Sequence, residues 1–135
     1  MLLMPEIRRP LSALQRNEVA RLATISPDQI PHVVPVCYVY LSGNFLVATD
    51  YETKKYRNLL KNDKVAILVD TYMPNRGILI QGRAETLEEG REFRDVYALF
   101  YRKFSWVRVD PWEEGEAPFI KIRPLRKTSW GLGSA

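Results

Sequence analysis

The feature that most constrains the fold is a series of short strand-forming segments that follow one another with little more than turn residues between them. Residues 19–25, 30–40 and 45–49 are rich in β-branched, aromatic and other apolar side chains, and two turns separate them. Two further apolar runs, residues 65–69 and 77–85, have the length of buried strands. This hairpin order predicts a mainly β chain with short helices, folded as an antiparallel barrel.

Three segments have helical spacing instead. Pro10 opens a short predicted helix over residues 10–17, and Thr53 is placed to cap a second helix within residues 50–62. The longest predicted helix lies within residues 88–104, where apolar side chains recur at intervals of three and four. This stripe is typical of packing against a core or a partner subunit, and it consists of Phe93, Val96, Tyr97, Phe100 and Phe104.

The C-terminal third is less regular. Residues 106–118 contain two tryptophans among Pro, Gly and Glu and are expected to form a loop. Residues 119–123 alternate as a strand, Pro124 is expected to interrupt it, and residues 127–130 are expected to form a last edge strand.

Composition excludes several classes of function. A chain of 135 residues with 46% hydrophobic content can bury one core, so residues 1–135 are expected to form a single domain. Cys37 and His32 are each the only residue of their type, which argues against an intrachain disulfide, a multi-cysteine metal site and most other metal sites. No apolar run is long enough to span a membrane, and the first residues do not resemble a signal peptide, so a cytoplasmic location is expected.

The net charge of +4 is modest and has one local concentration, residues 54–64. This pattern suits a small anionic ligand better than nucleic acid, which would require a broad basic face. Within it, Lys54, Lys55 and Arg57 follow Thr53 at a predicted helix start, where backbone N–H groups favour an anion. From these residues alone, a phosphate cradle and a solvated basic helix face both remain open. No Gly-rich nucleotide-binding motif is present.

For three other residues, a structural role has to be compared with a functional one. His32 is expected to be a hydrogen-bonded structural residue rather than a catalytic one, and Cys37 a small buried side chain. Trp130, close to the C-terminus, is either a packed anchor or a residue that closes over the cofactor of a partner subunit.

The order of motifs resembles the pyridoxamine-phosphate-oxidase-like flavin-binding split barrels. The resemblance is carried by RLATI (21–25), PHVVPV (31–36), TKKYRNL (53–59) followed by NDKVA (62–66), and GRAE (82–85). The ending, IRP (122–124) with SWG (129–131), is similar to a short subgroup thought to use a deazaflavin, coenzyme F420, in place of FMN. The resemblance implies an antiparallel split barrel, a homodimer, and a cofactor in a groove between the subunits.

Residue by residue, the resemblance implies a phosphate clamp at Thr53 and Lys55, with Lys54 as a second basic residue and Asn58 holding the loop. It also implies that the cofactor ring and its ribityl chain lie along two neighbouring strand segments. These segments are Val47, Ala48 and Thr49 on one strand and Val34, Pro35 and Val36 on the other.

Two departures from the family pattern bear on activity. Val34 stands where the classical oxidase has an arginine that reaches the phosphate, which argues against tight FMN binding. The C-terminal Arg-x-His substrate signature is missing, so oxidation of pyridoxamine phosphate is not expected. The sequence therefore predicts an FMN- or coenzyme F420-dependent oxidoreductase that transfers hydride to or from a small organic substrate. The alternative is a non-catalytic flavin or haem carrier. No nucleic-acid or membrane partner is expected, and no catalytic residue can be named.

Overall fold

The computed structural model describes residues 17–132, and six antiparallel strands close into a barrel. The strands are β1 (Val19–Ile25), β2 (Pro31–Leu41), β3 (Asn44–Ala48), β4 (Lys64–Thr71), β5 (Arg76–Leu87) and β6 (Phe119–Trp130). Around the barrel their order is β1-β2-β3-β6-β5-β4. The predicted antiparallel barrel is confirmed.

Three helices lie in the described part of the chain: α1 (Lys54–Lys61), α2 (Arg91–Lys103) and α3 (Ser105–Val109). The first two confirm the predicted helices, although α2 begins three residues later than residue 88. The third falls in the segment that was expected to be a loop. Of the helix predicted at residues 10–17, all but the last residue lie outside the described range. Across residues 17–132, no helix has the length and apolar character needed to cross a membrane.

The barrel interior is filled by alternate side chains from every strand, because successive residues of a strand point to opposite faces. Leu22, Tyr38, Val47, Ile80 and Ile120 are all almost fully buried in this first core. The core leaves no open channel to hold a cofactor inside the barrel, so a ligand site has to lie on its outside or at its ends.

A second core lies on the outside of the barrel, beneath α2 and α3. Phe93, Val96 and Phe100 on one side of α2 pack against outward-facing side chains such as Leu46 of β3 and Phe119 of β6. The packing role predicted for the aromatic stripe of this helix is confirmed. By covering β2, β3 and β6 here, α2 and α3 bring the following loop close to the end of β3.

The prediction that Pro124 interrupts the last strand was wrong. The strand is continuous, and opposite the proline the register with β5 shifts between Gln81 and Gly82. This irregularity accommodates a residue that has no N–H to donate to the ladder. Gly82 permits it, because a Cβ there would lie 2.1 Å from the carbonyl oxygen of Arg123. Among the described residues, β3 pairs with β6 only as far as Ile122, so the last residues of β6 pair with β5 alone and the predicted edge position of residues 127–130 is confirmed.

Candidate functional site

The site begins where β3 ends and α1 starts. Thr53 caps α1: it is extended, and its hydroxyl oxygen accepts a hydrogen bond from the backbone N–H of Tyr56. The loop before the helix is held by Tyr51, whose ring meets that of Tyr56 edge to face. The first turn of α1 contains no acidic residue, so its free N–H groups and the positive end of the helix dipole are not neutralised locally.

The hydroxyl of Thr53 is fully used by protein groups. It donates to the carbonyl oxygen of Asp50 at 3.0 Å, and its oxygen lies 2.9 Å from the hydroxyl oxygen of Thr49. The 3.0 Å bond to Asp50 takes the single hydrogen of the Thr53 hydroxyl, and Thr49, whose own contact with that carbonyl is longer at 3.4 Å, is therefore assigned as the donor of the second bond. Together with the bond from Tyr56, Thr53 therefore donates once and accepts twice, which is its full capacity. Its role in this arrangement is to form the helix start.

Lys55 lies beside this helix start and is half-buried. It lines a cavity of about 340 Å³ together with Ala48, Thr49 and Asp50 from the end of β3. Burial lowers the pKa of the Lys55 ammonium, and the nearby Asp50 carboxylate partly opposes that effect. Lys54 is exposed on the neighbouring position of the helix. Of the predicted site residues, the structure thus brings Ala48, Thr49 and Lys55 to one cavity.

The opposite wall of this cavity comes from α3 and the loop after it. It consists of Trp106, Asp110, Pro111, Trp112, Glu116 and Ala117. None of these residues was a predicted site residue, although two tryptophans in a short polar loop are a signal that binding surfaces often give. They reach the site because β6 starts next to the end of β3, with Phe119 paired to Ala48.

The two indoles of this wall are held in place by the barrel and by α2. The ring of Trp106 packs against those of Phe104 and Trp112, with centroid distances of 6.0 and 5.9 Å. The hydroxyl of Tyr97 accepts a hydrogen bond from the backbone N–H of Trp112 at 3.2 Å, and the two rings meet edge to face. Cys37, expected to be a small buried residue, is partly exposed, and burial raises the pKa of its thiol.

The other strand residues predicted to contact a cofactor are divided between the two faces of the sheet. The side chains of Val36 and Val47 are buried inside the barrel, so only their backbone can contact an external ligand. Val34 is partly buried, and Pro35 is exposed on the outer face. Since Tyr38 pairs with Val47, the segment from Val34 to Val36 runs beside the chain as it leaves β3.

Asn58 and Trp130 lie away from the cavity. Asn58 is buried, and its side-chain N–H donates to the hydroxyl of Thr24 at 3.0 Å, which ties α1 to β1. Trp130 is at the far end of β6, where its ring covers Gly77 and its Nε1–H donates to the side chain of Asn75.

The expectation that His32 is hydrogen-bonded was wrong for one of its ring nitrogens. The Nδ1 atom of His32 is buried with no partner among the described residues. Within residues 17–132, no group of three or more His, Cys, Asp or Glu side chains is placed to hold a metal ion.

Comparisons with known proteins agree with the barrel fold. Residues 6–130 match the family model of pyridoxamine 5'-phosphate oxidase. The chain is 25% identical to a 5a,11a-dehydrotetracycline/5a,11a-dehydrooxytetracycline reductase of Streptomyces rimosus, over 96% of this chain and 85% of the relative.

Two solved structures share the fold. One is a conserved hypothetical protein of Mycobacterium tuberculosis, with a TM-score of 0.77, 24% identity, and coverage of 97% of this chain and 87% of that one. The other is a haem storage protein of Vibrio cholerae, with a TM-score of 0.78, 18% identity, and coverage of 95% and 94%. With a family match over nearly the whole chain and a barrel of the corresponding fold, this chain belongs to the pyridoxamine 5'-phosphate oxidase family.

Proposed function

We propose that this chain is a homodimeric oxidoreductase that binds FMN or coenzyme F420 through its phosphate at the start of α1 and acts on a small organic substrate. The observation that carries the proposal is Lys55, a half-buried ammonium group at a cavity where the end of β3 meets a capped helix start. When bound, the cofactor supplies the hydride transfer, and the protein supplies binding and orientation.

The phosphate is proposed to bind at the first turn of α1. The backbone N–H groups there have no intrahelical partner, and Lys54 and Lys55 add two positive charges without an acidic residue in the same turn. Because the hydroxyl of Thr53 is fully used, its contribution is to cap the helix and present these N–H groups. The residues present therefore fit an anionic group.

The cofactor ring is proposed to lie along the segments 34–36 and 47–49. The backbone of Val36 and Val47 and the side chains of Pro35, Ala48 and Thr49 are the groups available there. Val34 adds no cation to the phosphate site, which supports weaker binding of FMN than of coenzyme F420. Relatedness to a reductase is consistent with a hydride-transferring role.

A second subunit is proposed because Trp130 and Lys55 cannot contact one ligand within a single chain. β6 begins beside Ala48 and ends at Trp130, and a strand of twelve residues spans about 36 Å. That length exceeds the distance between the ring and the phosphate in either cofactor. Trp130, 38% exposed, is therefore proposed to cover the cofactor bound by a partner subunit.

Exposed apolar side chains on the barrel support the same dimer. Val19, Ile30, Val33 and Leu125 are between 48% and 69% exposed. Apolar groups of this kind are typical of surfaces that a partner covers. Light scattering at micromolar concentration should give the mass of a dimer, and a monomer alone would contradict this part of the proposal.

A non-catalytic carrier remains the second candidate, because the fold is shared with a haem storage protein. His32, with its unpaired Nδ1, is the single histidine that this chain could offer to haem iron. A haem carrier should develop a haem absorption band on titration with haem and should lose it in His32→Ala.

The experiment that separates the candidates is a parallel titration of the purified protein with FMN, coenzyme F420 and haem, followed by a turnover assay. An oxidoreductase should bind one of the first two and exchange hydride between that cofactor, in its reduced form, and an added acceptor. Saturable haem binding without such exchange would favour the carrier.

A further inference from the structure

The wall of the cavity opposite Lys55 has a charge and a shape that a cofactor phosphate does not explain. This wall carries two carboxylates, Asp110 and Glu116, and no lysine or arginine among the described residues, whereas Lys55 and Asp50 line the cavity from the other side. An anionic ligand would be repelled from this wall, so its partner must differ in charge from the group bound at α1.

The carboxylates of this wall are not neutralised by the protein. Neither Asp110 nor Glu116 forms an ion pair with a lysine or arginine of residues 17–132. Glu116 accepts a hydrogen bond from the backbone N–H of Glu113 at 2.6 Å, which fixes its position and leaves its charge in place. Asp110 follows directly after α3 and is exposed.

Two aromatic planes stand beside these carboxylates. The rings of Trp106 and Trp112 are nearly parallel, with an interplanar angle of 9° and centroids 5.9 Å apart. Trp106 is 41% exposed, and its ring also packs against that of Phe104 with the centroids 6.0 Å apart, so a flat indole surface is available on the wall. Indole surfaces bind planar ring systems by stacking, and cations through the ring quadrupole.

The indole N–H of Trp112 lacks a hydrogen-bond partner on this wall. This Nε1–H group is buried without a hydrogen-bond partner among the described residues. Buried donors in folded proteins are nearly always paired, so an unpaired one beside a cavity requires an explanation. Trp112 lines the cavity, so a ligand bound there lies next to this unpaired donor.

We infer that this wall, Trp106, Trp112, Asp110 and Glu116, binds a planar conjugated ring system that carries a basic nitrogen. The ring stacks on the exposed indole, and the protonated nitrogen lies among the carboxylates. The inference rests on the proposed function in one respect, which is that the ligand is identified as the substrate. The binding of a planar cation follows from the wall itself.

The test uses 9-aminoacridine, a planar cation, and acridine, its close analogue that is neutral at pH 8, as probes of the purified full chain without added cofactor. Binding is followed by the fluorescence anisotropy of each dye. We expect 9-aminoacridine to bind at least tenfold more tightly than acridine and to lose this advantage as salt is raised.

The variants assign the effect to the wall. The double variant Asp110→Asn with Glu116→Gln keeps side-chain size and hydrogen-bonding oxygens, and it should bring the two dyes to within threefold of each other. Trp106→Ala should weaken both dyes. Glu113→Gln removes a carboxylate from the same loop outside the cavity and should retain the tenfold preference.

Equal affinity of the two dyes for the unaltered chain would overturn the inference, and so would a preference that persists in the double variant. The outcome is independent of the proposed function. Failure of FMN and coenzyme F420 to bind would contradict the phosphate site while leaving a selective dye site intact. Normal cofactor binding without dye selectivity would overturn the inference alone.

Discussion

Replacing Thr53 by alanine tests whether this residue shapes the helix start or directly binds the cofactor. The change removes the cap bond to the N–H of Tyr56 and the bond to the carbonyl of Asp50, and it leaves the hydroxyl of Thr49 only a 3.4 Å contact with that same carbonyl. Loss of a threonine cap costs about 1–2 kcal/mol of the free energy of unfolding.

The assay is urea denaturation followed by circular dichroism. With a slope of about 2 kcal/mol per molar urea, the midpoint of Thr53→Ala should fall by about 0.5–1 M. Thr53→Ser keeps the hydroxyl and should remain within about 0.3 M of the unaltered protein. Cofactor affinity should weaken less than in Lys55→Ala. An unchanged midpoint together with a complete loss of cofactor binding would refute the reasoning, because it would make the hydroxyl a ligand rather than a cap.

Three further outcomes follow from the structure. Gly82→Ala should destabilise the fold by about 3 kcal/mol in the same denaturation assay, because its Cβ would meet the carbonyl of Arg123, whereas Gly115→Ala, with open space around it, should cost about 1 kcal/mol. Burial lowers the pKa of Lys103 to about 8, and the nearby Glu18 and Cys37 partly oppose that effect. Between about pH 8 and 10 the unfolded chain then binds more protons at this position, so stability should rise with pH, and Lys103→Met should abolish that rise. Finally, the purified protein with FMN should not turn over pyridoxamine phosphate, and sustained hydrogen peroxide production from that substrate would show the opposite.

The parts of the fold that were predicted from sequence are those that local patterns determine. The strands of the first two hairpins follow from apolar alternation and turn residues, and α1 follows from the cap at Thr53 and an apolar side. The continuity of β6 could not be predicted in this way. It depends on Gly82, which lies 42 positions before Pro124 and permits the register shift only after the two strands have paired.

The candidate site residues show the same difference between local and long-range determinants. The position of Lys55 after a helix cap left a phosphate cradle and a solvated face both open, and the family resemblance implied the clamp; the structure places Lys55 in the cavity. Asn58 was expected to hold the loop, but its amide bonds to Thr24, a contact between residues 34 positions apart. Trp106 and Trp112 were missed for a similar reason: only the pairing of β3 with β6 brings their loop to the cavity, and no local pattern specifies that pairing.

A pH series tests the charge of Lys55 in the unaltered protein. Burial lowers the pKa of Lys55 in the cofactor-free protein, and a bound phosphate would raise that pKa. Cofactor binding is therefore expected to weaken as pH rises from 7 towards the ordinary lysine pKa. This loss should be absent in Lys55→Met.

The central claim is that a cofactor phosphate binds beside Lys55 at the start of α1. The most direct measurement is the dissociation constant of the preferred cofactor, FMN or coenzyme F420, for the unaltered chain, for Lys55→Ala and for Lys61→Ala, an exposed lysine in the last turn of the same helix. Loss of one charge-assisted contact corresponds to roughly 1.5–3 kcal/mol, so the dissociation constant of Lys55→Ala should rise by about ten- to a hundredfold, while that of Lys61→Ala stays near the original value. Equal dissociation constants for all three proteins would contradict the account.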